Sequence, residues 1–252
     1  MKASYDEYNY PTYWEKRYYE HKSEVIAIKS LLNEIPNITT IGDLGGGYGR
    51  LVNTYSQRAK NIYLIDPSSK LLSKAKKDLF YLENIKFIQS SVENLIYKNL
   101  KGKFDTILFV RVMHHIKDID KVFSILSSPL KNNGYLILEF ANKNHWKAIF
   151  KKFIRGDFTF PVDIFPIDRR SARSKKKKAI TFLNYHPDLV EKKLIDNGFS
   201  VIDKLSVSNL RNNILKNHLS SKFLINIEKH IQKPFAKINF GPSIFILAKN
   251  VQ

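Results

Sequence analysis

Asp43, Gly45, Gly47 and Gly49 stand in Ile41-Gly-Asp-Leu-Gly-Gly-Gly-Tyr-Gly-Arg50, where a short apolar run passes into a helical-looking one. Glycine takes positive φ freely and has no Cβ, so such a turn lets a ligand press against bare main chain. The helix start behind it adds free N–H groups aimed at that ligand. Spacing narrows the ligand. The dinucleotide fingerprint is G-x-G-x-x-G, and with Gly45 and Gly47 as its first two glycines the third would fall on Arg50. That register fails, whereas acid-x-G-x-G-x-G fits on Asp43, Gly45, Gly47 and Gly49. Asp66, followed by Pro67, ends the next apolar run, 66 − 49 = 17 positions beyond the last glycine. An acid at the carboxyl end of a second strand can accept both hydroxyl hydrogens of a ribose. Its alternative role is to cap the helix beginning near Ser68.

The histidines are the other candidates for chemistry. The run Lys103-Phe-Asp-Thr-Ile-Leu-Phe-Val-Arg-Val-Met-His-His-Ile116 reads as a buried strand followed by His114 and His115, and His145 and His186 stand in later segments. A well-placed histidine can take a proton from a hydroxyl acceptor near neutral pH. Beside an apolar run it also commonly serves as a packed core residue.

The Asp43–Gly49 motif resembles the first motif of the class I S-adenosylmethionine-dependent methyltransferases. Val110-Arg-Val-Met-His-His-Ile116 resembles the segment after strand 4 in those acting on small molecules. The resemblance implies that Asp43 and the glycine turn hold the amino-acid end of S-adenosylmethionine, with no pyrophosphate present, and that Asp66 and Pro67 flank its ribose. Ser91 stands where many relatives carry an aspartate for the adenine amino group, so Val92 is expected to contribute through its N–H and its packing on the ring. Val110 and Arg111 are expected beside the sulfonium. An N-terminal lid, with Tyr13 and Tyr18, and an insert after strand 5, with His145, would cover the substrate. Should the acceptor be a hydroxyl, His114, His115, His145 or His186 would remove its proton.

Those groups must be positioned by a sheet. Thr39–Leu44, residues 61–66, a run from Asn84, a run from Phe104 and Tyr135–Phe140 read as five strands. Gly49–Arg58, Ser68–Leu79 and Asp118–Leu130 read as helices between them, with Lys131–Gly134 as a turn whose glycine takes the tight position. Such alternation argues an α/β doubly wound sheet with helices on both faces. Right-handed crossovers then gather the glycine turn and the ends of strands 2, 3 and 4 around one crevice. By resemblance the sheet has seven strands, mostly parallel with the last antiparallel, and helical inserts after strands 5 and 6. Before it, Val25, Ile28, Leu31 and Leu32 recur at helical spacing over Lys22–Glu34. After it come a basic amphipathic helix at His145–Ile154, a helix entered at Pro187 and closed by Gly198, a strand at Ser200–Ser208, a helical region at Leu210–Gln232 and a strand at Ser243–Lys249. The expected organisation is one domain, 1–252, with a lid segment at 1–36 and substrate-side inserts at 141–184 and 209–241.

Composition narrows the chemistry further. There are no cysteines, so disulfides, thiolate metal sites and cysteine nucleophiles are excluded, and no metal is expected. No stretch reaches the ~18 apolar residues of a membrane span, and no signal-type run opens the chain, which points to a soluble, cytoplasmic protein. The net charge of +19 suits an anionic partner, although lysine, asparagine and isoleucine are abundant throughout. The one cluster is Arg169–Lys178. The leading expectation is methyl transfer by in-line displacement to a small or amphiphilic metabolite, an anionic one being included. An Asn/Asp-Pro-Pro-aromatic motif is absent after strand 4, which disfavours exocyclic amines of nucleic-acid bases. The alternatives are an RNA methyltransferase using the basic insert and a non-catalytic S-adenosylmethionine-binding module.

Overall fold

A computed structural model describes residues 10–176 and 180–252. The start of the expected lid, through residue 9, and Lys177 and Lys178 of the basic run lie outside the described residues. The strands are β1 (Thr40–Leu44), β2 (Asn61–Asp66), β3 (Ile85–Gln89), β4 (Phe104–Phe109), β5 (Leu130–Ala141), β6 (Ile167–Asp168), β7 (Leu183–Asn184), β8 (Phe199–Val207) and β9 (Ser243–Asn250). Seven form one sheet in the order β3-β2-β1-β4-β5-β9-β8, and β6 pairs with β7 apart from it. β1 to β5 are parallel where they pair, and β9 runs antiparallel to both its neighbours. The expected seven-stranded, mostly parallel sheet with an antiparallel last strand is what the chain forms.

The helices are α1 (Tyr10–Glu15), α2 (Tyr18–Asn33), α3 (Val52–Tyr55), α4 (Ser69–Asp78), α5 (Ile119–Ser127), α6 (Trp146–Phe153), α7 (Ala172–Lys176), α8 (Pro187–Asp196), α9 (Asn213–His218) and α10 (Ser221–Ala236). Successive strand residues point to opposite faces. Ile41, Leu64, Leu108 and Ile137 therefore meet α2, α3 and α4 in one core, while Leu44, Ile65, Phe109 and Leu138 meet α5 and α8 in the other. Both faces are covered, as a parallel sheet demands.

Two local expectations are corrected. The helix after the glycine turn is short: Gly49 is left-handed, at φ +78°, so helical geometry begins only at Val52 and gives way to a 3₁₀ turn at Ser56–Arg58. Lys131–Gly134 is not a tight turn but an irregular stretch inside β5, where the register with β4 shifts. The left-handed residue there is Asn133, at φ +60°. Gly134 is required instead by close approach, since a Cβ would lie 2.9 Å from the Lys131 carbonyl oxygen.

The segment expected as a lid is tied into the fold. α2 starts at Tyr18, earlier than its apolar spacing suggests, and buries Ala27, Ile28, Leu31 and Leu32. The Tyr19 hydroxyl donates to Glu228 Oε2 at 2.5 Å, and Gln232 donates to the Ser23 carbonyl at 2.9 Å. Glu228 also accepts from the Ser208 N–H at 2.7 Å, so one buried carboxyl joins α2, α10 and the end of β8.

Candidate functional site

The carboxyl ends of β1, β2 and β4 share one edge of the sheet, and the glycine turn sits there. Gly45 donates to the Ile65 carbonyl at 2.7 Å. A Cβ at Gly45, Gly46 or Gly49 would strike Val112 Cγ2 at 2.3 Å, Leu64 Cδ1 at 2.2 Å or Leu79 Cδ1 at 2.6 Å. Those three glycines are demanded by packing. Gly47 differs: at φ +58° its added Cβ would meet nothing nearer than Leu71 at 3.6 Å and Asp66 Oδ2 at 4.0 Å. The open side of the turn is therefore at Gly47, beside Asp66.

Asp66 is buried, and its two oxygens accept from the Gly47 N–H at 2.9 Å and the Ser68 N–H at 2.8 Å. Two main-chain donors thus fix the carboxylate at the edge of the open space. Capping of α4 falls to Ser68, whose Oγ accepts from Leu71 N at 3.1 Å, so the alternative role for Asp66 is taken by its neighbour. A fixed acid beside a half-buried glycine with open space at its α-carbon fits the sugar diol of a nucleoside. The Ser90 N–H donates to the Asp66 carbonyl at 3.2 Å and Gln89 donates to the Pro67 carbonyl at 3.2 Å. These bonds hold Pro67, half-buried Ser91 and buried Val92 along the same margin.

Asp43 lies beneath the turn rather than at its mouth. It is buried, and Tyr55 donates to its Oδ2 at 2.5 Å. Burial pushes the carboxyl up to about 6; the Tyr55 hydrogen bond and Arg50 oppose this, and the charge of Asp66 adds to it. A folded-state value above the unfolded one means that the native chain keeps this proton to higher pH, so this group's stabilisation is lost as pH rises from about 4 to about 6. Asp43→Asn should remove that dependence. The stability of D43N relative to the parent should grow by roughly 3 kcal/mol across that window and level off above it. Thermal melts at pH 4, 5, 6 and 7 test this, and a constant difference would contradict it.

Arg111 leaves β4 with φ +64°, held by donation from its N–H to Glu139 Oε2 at 2.9 Å. Its guanidinium turns to α2: Nε donates to Glu24 Oε1 at 2.7 Å, and Nη2 bonds the same oxygen. Glu24 also accepts from Arg50 Nη2 at 2.5 Å. Trp14 closes the cluster from outside, with the Arg50 guanidinium 3.5 Å from its ring centroid and that of Arg111 at 5.4 Å. Burial pushes Glu24 up, but Arg111 and Arg50 bring it below the usual glutamate range. Glu139 stays above that range because burial outweighs Arg111, whose Nη1 is 3.9 Å away. Val110 is buried, and the Arg111 side chain is 25% exposed beside it.

The histidines separate. His115 Nδ1 donates to the Thr181 carbonyl at 2.7 Å, tying the turn after β4 to the insert. Both ring nitrogens of His186 are taken, Nδ1 by the Asp188 N–H at 3.2 Å and Nε2 by Asn144 and the Pro161 carbonyl at 2.7 and 2.9 Å. His186 anchors α8 and is corrected from proton acceptor to structural residue. His114 is different: its ring is buried against His115 and Phe182, and its Nδ1 has no hydrogen-bond partner among the described residues. Burial, with His115 and Arg111 adding, holds it well below the usual histidine range, hence neutral.

In the N-terminal segment, Tyr13 packs edge-on to Trp14 at 5.4 Å, with Arg17 over its ring at 4.1 Å. Tyr18 is 53% exposed and lies under Lys22. His145 precedes α6, lowered to about 4 by burial and then by Arg169, Lys147 and Arg211. Nearby cations outnumber anions: Lys216 and Arg211 share Glu20 Oε1, at 2.5 and 3.6 Å, and Lys147 donates to the Arg211 carbonyl at 2.7 Å.

Sequence reasoning missed Glu24, Arg50, Trp14 and Glu139. A signal existed for Glu24, which stands four residues before Ile28 on the apolar stripe of α2. A carboxylate there requires a buried cationic partner.

Residues 42–138 match a family model described as a methyltransferase domain. Over 225 residues the chain is 24% identical to tRNA 5-carboxymethoxyuridine methyltransferase of Escherichia coli O157:H7, covering 86% of this chain and 82% of that protein. It is 25% identical over 201 residues to a ubiquinone biosynthesis O-methyltransferase of Pelagibacter ubique, covering 72% and 76%. An S-adenosylmethionine-dependent methyltransferase from Mesorhizobium loti shares the fold at a TM-score of 0.60 with 14% identity, over 90% of this chain and 97% of that one.

Proposed function

We propose that this chain, a class I S-adenosylmethionine-dependent methyltransferase by its domain and its sheet, methylates an oxygen or nitrogen of a small amphiphilic acceptor carrying an anionic group. The observation that carries this reading is the cationic junction of the N-terminal segment and the inserts, where Arg211 and Lys216 share the Glu20 carboxylate and Lys147 donates to the Arg211 carbonyl. It lies on the same sheet edge as the glycine turn, since α2, the α6 insert and the loop after β8 converge there.

S-adenosylmethionine, when bound, supplies a methyl group made electrophilic by its sulfonium. The chain has only to orient and to manage protons, and orientation can contribute about 7–11 kcal/mol. Asp66 and Gly47 would hold the nucleoside, with Pro67, Ser91 and Val92 alongside. His114, neutral and with no partner for Nδ1 among the described residues, is the group that takes a proton from a hydroxyl acceptor. With such an acceptor, His114→Ala should lower kcat by about 10²–10⁴ while calorimetry shows unchanged cofactor affinity. In the parent the acid limb of the rate profile should fall well below the ordinary histidine range, because burial depresses this ring.

The acceptor class is tested by methyl transfer from labelled S-adenosylmethionine to matched amphiphiles with and without a carboxylate or phosphate. Preference for the charged member, reduced in Arg211→Glu, supports it; equal turnover of neutral analogues refutes it. RNA is the second reading, supported by the tRNA-methylating relative and the Arg169–Lys176 cations. Steeply salt-dependent binding of mixed RNA would favour it.

A further inference from the structure

The helix α6, Trp-Lys-Ala-Ile-Phe-Lys-Lys-Phe, has no buried residue. Trp146, Ile149, Phe150, Phe153 and Ile154 recur at i, i+3, i+4, i+7 and i+8, so they form one apolar face, and together they line an open trough. Phe150 is 62% and Ile154 71% exposed. Phe158 is set edge-on to Phe153 at 5.2 Å, and Val162 and Phe165 in the loop that follows are also exposed. A contiguous face of this kind on a soluble domain marks a contact surface.

The loop carrying it is braced. Lys143, with a fully buried side chain, binds the Asp163 carboxylate at 2.8 Å and the Phe165 carbonyl at 2.9 Å, and also bonds the Asp163 carbonyl. Asn144 holds the Pro161 carbonyl at 2.7 Å. At its N-terminal end α6 is fixed by donation from Trp146 N to the Phe240 carbonyl at 3.1 Å, with Trp146 stacked on Phe240. Apolar side chains are thereby held outward by buried polar contacts.

Charge selects the partner. Residues 143–178 hold twelve Lys and Arg against three Asp, so 12 − 3 = +9 of the net +19 lies in this segment. Asp157, Asp163 and Asp168 are each already paired, to Lys152, Lys143 and Arg170. Lys151 and Arg155 are exposed beside the apolar face. A short helix with aromatic and aliphatic residues on one side and lysines on the other is suited to the boundary between headgroups and acyl chains. Nucleic-acid contact surfaces are more polar, and two copies facing each other would bring these cations together.

We propose that the α6 insert docks the protein onto an anionic phospholipid bilayer, laying Phe150, Phe153 and Ile154 into the interface with Lys151 and Arg155 on the headgroups. No helix among the described residues is long and apolar enough to cross a membrane, so the attachment is peripheral. It stands independently of which acceptor is methylated.

Sedimentation with phosphatidylcholine vesicles, with and without phosphatidylglycerol, tests the docking on the full chain. The parent should pellet with the anionic vesicles and be released by salt. Phe150→Glu with Ile154→Glu should stay in the supernatant, and Lys151→Glu with Arg155→Glu should bind at least about tenfold more weakly. Both double variants should keep the parent's melting temperature and its S-adenosylmethionine affinity by calorimetry, which separates loss of docking from loss of fold or of the cofactor site. Failure of the parent to bind anionic vesicles, or equal binding by the F150E/I154E variant, overturns the proposal. So does self-association in sedimentation velocity that the same variant abolishes without any vesicle binding, or capture of mixed RNA in place of vesicles.

Discussion

Glu24→Ala is expected to destabilise the fold by about 3–5 kcal/mol, because removing one member of a buried ion cluster leaves the others uncompensated. Arg50 and Arg111 both bond this carboxylate, whose side chain is fully buried. Without it the next carboxylate, Glu139, lies 3.9 Å from Arg111. For a chain of this length the loss corresponds to a fall in Tm of roughly 10 °C. A surface pair gives the contrast: Lys74–Asp78, at 2.8 Å, has both side chains over 40% exposed, so Asp78→Ala should cost at most about 1 kcal/mol. The pH dependence carries a second signature. Glu24 sits below the usual glutamate range in the folded chain, so its stabilisation is present above the unfolded value and lost as pH falls through the folded one. The gap between E24A and the parent should therefore narrow in acid. Urea titrations at neutral and acid pH measure both, and a gap under about 1 kcal/mol at neutral pH would mean that water already screens the cluster.

The same cluster shows where the sequence stops being readable. The sheet was legible because its signals are local: apolar runs closed by Asp43, Asp66 and the Phe104–Phe109 stretch, and glycines whose spacing excludes a pyrophosphate turn. Right-handed crossovers then left one arrangement of strand ends. What Gly45, Gly46 and Gly49 do could not be told apart from Gly47 without the neighbours, because Val112, Leu64 and Leu79 come from distant segments. The histidines posed the same problem. Their types were visible, but only tertiary contacts show that His186 has both nitrogens occupied while His114 keeps one without a partner among the described residues. The tie from Glu24 to Arg111 spans 87 positions, and no periodicity encodes which cation a buried acid will meet.

Asp66→Asn should raise the dissociation constant for S-adenosylmethionine by about 10- to 100-fold, since a hydrogen bond to a charged group contributes about 1.5–3 kcal/mol. The amide keeps one acceptor oxygen but turns an N–H₂ toward the Gly47 or Ser68 N–H, both of which now donate to the carboxylate. Asp66→Ala, which leaves both donors unmet, should bind more weakly still. Loss of binding through a collapsed turn is separated from loss of a ligand contact by two glycine variants. Gly47→Ala has room for its Cβ, nothing lying within 3.6 Å, so it should fold with a cost of about 1–2 kcal/mol for the left-handed backbone. That methyl would nonetheless occupy the space beside Asp66, and binding should fall. Gly45→Ala drives its Cβ to 2.3 Å from Val112, so stability and binding should be lost together. Calorimetry paired with thermal melts reads all four variants. If D66N and G47A fold and bind as the parent does, the nucleoside does not lie against this edge of the turn.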